Sequence, residues 1–138
     1  MIHVAIRNEL VSNTGTNAYI GGTPNRVFPL VVPQKVPNGV TTMPCVVYET
    51  GDVQRGVSYC GTDRLVRTMM RIDCYSTEYD EVKELAQAVR HALIDYRGSL
   101  GGIVDVRAAN LETEFDLQDF EPGLFRVSQS WVFWHVED

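Results

Sequence analysis

LVRTMMRIDCYSTEYDEVKELAQAVRHALIDYRG, residues 65–98, changes its hydrophobic period halfway along. In residues 65–75 the side chains alternate. Val66, Thr68, Met70, Ile72 and Cys74 fall on one side and Arg67, Met69, Arg71 and Asp73 on the other, the pattern of a strand with one buried face. Beyond it Val82, Leu85, Ala86, Val89, Ala92, Leu93 and Tyr96 recur at spacings of three and four, the stripe of an amphipathic helix. Ser76 or Thr77 can cap that helix, Glu78, Asp80 and Glu81 sit where its dipole favours negative charge, and Gly98 is the expected stop.

Outward from this pair, CVVYE (residues 45–49) is β-branched and aromatic and reads as a strand, GDVQRG (51–56) as a polar turn, and residues 57–60 as a short strand. Residues 103–111 and 124–136 read as two more strands. The second carries Phe125, Val127, Trp131 and Phe133 on one face and Val132, Trp134 and Val136 on the other. Between them lies the acidic stretch ETEFDLQDFEPG (112–123), with a turn signal at Pro122-Gly123. Residues 2–11 suggest a short amphipathic helix. Residues 12–44 hold five of the six prolines (Pro24, Pro29, Pro33, Pro37 and Pro44) and read as an irregular arm, because proline removes backbone donors and fixes φ. Within the arm, RVFPLVV (26–32) is apolar enough to pack as an extended anchor. The uncharged stretch 13–25 is expected to order only on contact with a partner. The fold class is therefore α+β: a mainly antiparallel sheet packed by one long helix, with a short N-terminal helix and a long Pro/Gly-rich arm.

At 138 residues, 44% hydrophobic and 22% charged, the chain is expected to form one globular domain over residues 1–138. Twelve Lys and Arg against eighteen Asp and Glu give a net charge of −6, which argues against a protein that grips phosphate backbones or anionic lipid. MIHVAIRNEL lacks the basic and apolar regions of a signal peptide, and no stretch is apolar for long enough to span a bilayer. Cys45, Cys60 and Cys74 are odd in number and too widely spaced for a zinc knuckle, so they read as reduced thiols.

Residues that could carry chemistry give little. No glycine-rich loop has phosphate-binding spacing, and Gly101-Gly102 lies between helix and strand in the wrong order. His3, His91 and His135 are dispersed, with His91 off the apolar stripe of its helix. Glu112, Glu114, Asp116, Asp119 and Glu121 lack the central glycine of a calcium loop and have Phe115, Leu117 and Phe120 among them. A solvated hairpin that repels DNA or meets a basic partner is preferred to a cation site. Trp131 and Trp134 could stack on a base, but the negative charge favours a core or interface strand. No catalytic residue, metal or cofactor is expected.

Three pieces in order carry a resemblance: RVFPLVVPQ (26–34), MPCVVYET (43–50) and MMRIDCYSTEYDEVKELAQAVRHAL (69–93). The chain resembles the small tail-completion, or tail-terminator, proteins of tailed bacteriophages and prophages. Their pattern is an R-V-[FY]-P start, a P-x-V-V-Y strand, and a strand ending in D-x-Y before a helix with A-x-x-V-R-x-A-L. Here these are Arg26 to Pro29, Pro44 to Tyr48, Asp73 to Tyr75 and Ala86 to Leu93.

The resemblance implies a non-enzymatic virion protein of the tail or neck, made in the host cytoplasm. It would cap the tail tube as a homo-oligomeric ring, commonly of six subunits, end tube growth and offer its other face to a head-tail connector or stopper. DNA would pass through without specific binding. Arg26, Phe28, Pro29, Leu30, Val31 and Pro33 are the expected subunit or partner contacts. Glu112, Glu114, Asp116, Asp119 and Glu121 are the expected acidic lumen or partner surface. Two other readings stay open: a connector or stopper of the same neck, and a small-molecule-binding α+β domain with a deep pocket and perturbed ionisable groups.

Overall fold

A computed structural model of the chain describes residues 2–20, 26–29, 44–58, 61–118 and 124–136. In chain order the elements are α1 (Ile2–Ser12), α2 (Thr14–Ile20), β1 (Val27–Pro29), β2 (Cys45–Ser58), β3 (Gly61–Ser76), α3 (Tyr79–Leu93), β4 (Gly98–Leu100), β5 (Val104–Gln118) and β6 (Phe125–Val136). The strands form one six-stranded sheet in the order β1-β2-β3-β6-β5-β4. Only the β1–β2 pair is parallel; the other four pairs are antiparallel. Two long hairpins, β2–β3 and β5–β6, therefore lie side by side, joined along the β3–β6 seam from Leu65↔Val136 to Ser76↔Phe125. Register shifts after Thr50 and Arg55 in β2 and after Val106 and Leu111 in β5 mark bulges, which raise the local twist and curl the sheet.

The alternation expected for β3 is present: Val66, Thr68, Met70, Ile72 and Cys74 are buried toward the helices. From β6 the same face receives Val127, Gln129, Trp131 and Phe133, paired across the seam with Cys74, Ile72, Met70 and Thr68. Helix α3 lays Val82, Leu85, Ala86, Val89, Ala92 and Leu93 on it. Ile2, Ala5, Ile6 and Leu10 of α1 and Ile20 of α2 complete this core.

Several expectations need correction. GDVQRG is not a turn, since β2 runs unbroken through it, bulged and laddered to β3. The acidic stretch is strand as far as Gln118, because β6 supplies ladder partners for residues 113–118, with Glu112 at the bulge before them. Helix α3 stops at Leu93, where Ile94 N–H donates to Arg90 O at 2.8 Å and Asp95 takes the left-handed conformation at φ 52°; Gly98 belongs to β4. Tyr96 therefore packs on the core from beyond the helix. Neither Ser76 nor Thr77 is the N-cap of α3: Glu78 takes that position without a side-chain cap bond, and Ser76 Oγ instead accepts from Glu78 N–H (3.1 Å) and donates to Glu81 Oε1 (2.7 Å).

The arm is corrected over residues 14–20, which form helix α2. Asn13 Oδ1 starts it by accepting from the N–H groups of Gly15 (3.0 Å) and Thr16 (3.3 Å), and the Thr16 hydroxyl donates to Leu10 O. Thr16 and Ile20 are fully buried, so the stretch 13–20 is ordered on the domain itself. Residues 27–29 are extended, as expected, and pair with 46–48. Residues 21–25 and 30–43 lie outside the described part, as does the turn signal at Pro122-Gly123.

Candidate functional site

The expected arm contacts are reached in part. Arg26 is half-buried, and its guanidinium donates to Tyr19 O at 2.6 Å, which ties the start of β1 to the end of α2. Phe28 is half-buried and Pro29 exposed on β1, while Leu30, Val31 and Pro33 lie outside the described residues. Arg26 also lowers the Cys45 thiol slightly, but burial dominates and pushes that thiol up to about 12. Burial raises Cys74 as well, with Asp73 adding to the effect. Both are buried neutral thiols, poor nucleophiles.

The acidic residues do not form one surface. Glu112 lies on the face away from the helices, 3.3 Å from Arg67. Glu114 and Asp116 lie on the helix side, where Glu114 accepts from Gln129 Nε2 (2.9 Å) and Asp116 accepts from the Tyr79 hydroxyl (2.7 Å) and Lys83 Nζ (3.0 Å). The Tyr79 and Lys83 hydrogen bonds hold the Asp116 carboxyl below the usual carboxylate range, and the same contacts raise Tyr79 and Lys83. Each described carboxylate in this run thus has a local partner. Asp119 and Glu121 lie outside the described residues.

Sequence reasoning missed what covers the sheet and what does not. All three described helices pack on one face; on the other, Leu65, Met69, Phe115, Val132, Trp134 and Val136 stand among Arg67, Arg71 and Glu112. Trp134 is 38% exposed and Phe115 48%. Arg71 there bridges Glu49 (2.8 Å) and Asp73 (3.4 Å). The signal was present, since the end of β6 is apolar on both faces.

The described residues line several recesses on the surface. One of about 380 Å³ between α2 and α3 is open to solvent and lined by Tyr19, Glu84, Gln87 and His91. Another of about 240 Å³ lies beside Tyr79, Asp116 and Phe125. Among the described residues no three His, Cys, Asp or Glu side chains come together to hold a metal ion, and no described helix is long and apolar enough to cross a membrane.

Residues 4–135 match the family model described as "Tail completion protein gp17". The chain belongs to that family. It is a structural tail completion protein of a phage-like virion and not an enzyme, in agreement with the resemblance read from residues 26–93. Its fold is similar to that of a component of the virion of a native gene transfer agent particle, at a TM-score of 0.72 over 98% of this chain and 94% of that one, with 15% identity. No curated protein matches.

Proposed function

We propose that this protein closes the tail tube as a ring, of six subunits as the resemblance implies, ends tube polymerisation and presents the surface on which head and tail join. The observation that carries the reading is the family match across residues 4–135, joined to a fold like that of a virion component. The surface agrees with it. A sheet with one face bare of described helices and carrying an exposed tryptophan is suited to contact with other subunits, because large apolar side chains are enriched at interface cores.

In this reading the partners are the tail tube protein on one side and a head-tail connector or stopper on the other, with DNA passing through. A net charge of −6 suits a channel along which DNA slides without sticking. Arg26, Phe28, Pro29, Leu30, Val31 and Pro33 remain the proposed arm contacts. Of the proposed acidic surface, Glu112, Glu114 and Asp116 are engaged locally, while Asp119 and Glu121 lie outside the described residues.

Co-sedimentation with purified tail tubes, followed by negative-stain imaging of the tube ends, tests the reading. A ring at one end of each tube is the expected result. Binding to DNA-filled heads without binding to tubes would replace it with the connector or stopper reading.

A further inference from the structure

We propose that adjacent subunits join by adding the outer edge of β5 in one copy to the outer edge of β2 in the next, so that the sheets continue from subunit to subunit. This rests on the ring reading above and specifies its contact.

Among the described residues, the two outermost long strands are each covered along only part of their outer edge. On β5, β4 pairs with residues 104–106, and Asp95 N–H donates to Ala109 O at 3.1 Å; on the side of residues 110–118 away from β6 no described strand lies. On β2, β1 pairs with residues 46–48, and on the side of residues 49–54 away from β3 no described strand lies. A strand edge of this length carries a row of outward N–H and C=O groups that template pairing with another chain.

Direction and position select the occupant. With the Leu65–Val136 end of the seam taken as the top, β2 runs upward and β5 downward. Copies related by rotation about a ring axis share that orientation, so β5 of one meets β2 of the next antiparallel, the more stable ladder. The uncovered part of β5 is its lower half and that of β2 its upper half. The short strands β1 and β4 block the other halves, and flush pairing is thereby prevented. Pairing is possible only with a stagger, which tilts the strands against the ring axis in the way closed barrels require. A twofold pairing of β5 with β5 would set Glu112, Glu114 and Asp116 against their own copies, a like-charge arrangement that is destabilising. The β2–β5 contact is heterologous instead, and a heterologous contact gives a ring when its rotation closes and a filament when it does not.

Amide hydrogen exchange, compared between the free protein and the protein bound to tail tubes, tests this. Exchange in residues 110–118 and 49–54 should slow together by about tenfold or more on binding, as newly laddered amides do. Slowing in one segment alone would mean that a strand from another protein occupies that edge and would overturn the pairing of copies. A complex that forms with neither segment slowed would overturn edge pairing and leave the ring reading standing. Absence of any complex would overturn both. A second readout is Phe115→Lys, which places charge on an exposed side chain at the β5 edge; it should fold normally and abolish ring formation, whereas Ile103→Lys, equally exposed and away from the uncovered segment, should assemble. Normal rings from Phe115→Lys would count against the contact.

Discussion

Gln129 is the one fully buried amide side chain in the described core, and its environment accounts for it. Its Nε2 donates to Ala86 O and to Glu114 Oε2, both at 2.9 Å, while its Oε1 accepts from Trp131 Nε1 at 3.0 Å. One side chain thus joins α3, β5 and the central tryptophan. Replacing it by leucine keeps the volume but leaves the indole N–H without its acceptor, and each buried polar group so orphaned costs about 1–3 kcal/mol. Urea denaturation of Gln129→Leu should show a lower midpoint with an unchanged slope; an unchanged midpoint would mean that water replaces the amide. The buried thiols give a second expectation. Cys45 keeps its proton in the folded state to about 12, whereas an unfolded thiol loses it from roughly 8.5 upward, so the stability it contributes is complete below that range and drains away as pH rises through it. At pH 8 a thiol reagent should label Cys45 and Cys74 only after denaturation; rapid labelling of both in the native protein would contradict their burial.

At the scale of elements, α2 separates structure from sequence most clearly. TGTNAYI contains a glycine and two threonines, poor helix formers, so propensity argues against a helix. What forms it is the Asn13 cap and the burial of Thr16 and Ile20 against α1 and α3. The surface waiting for Ile20 was not visible in the sequence, and without it Asn13 gave no reason to expect a helix. Ile20→Ala should cost about 2–5 kcal/mol, and deletion of residues 14–23 should lower the melting temperature sharply. A deletion that melts like the parent would return this stretch to the status of a free arm. Helix α3 was legible because its stripe has no competing period, and β3 because its alternation is clean. The far half of β2 was not, since Gly51 and Asp52 read locally as a turn and only the facing β3 ladder keeps them extended. In β5 the alternation of Phe115 and Leu117 with acids was present, but β6 decides it as a strand. The edges left uncovered among the described residues were beyond sequence altogether, because they depend on which strands the sheet places at its two sides.

For the whole molecule, charge and edges act against each other. Uncovered strand edges invite self-association, and a net charge of −6 on every copy opposes it. The free protein should therefore sediment as a monomer in dilute buffer and shift toward larger species as salt shortens the screening length from about 10 Å at 0.1 M to about 3 Å at 1 M. A sedimentation coefficient indifferent to salt would show that repulsion is not what keeps copies apart. The β3–β6 seam has a consequence of another kind, felt during synthesis. Each hairpin can form as soon as its own two strands leave the ribosome, but β3 must wait for its second neighbour until α3, β4, β5 and β6 have been made. At roughly 5–20 residues per second that wait lasts several seconds. During it the nascent β2–β3 hairpin presents an open edge, and Arg67, Arg71 and Asp73, alternating along that strand, serve as gatekeepers that keep neighbouring nascent chains from zipping onto it.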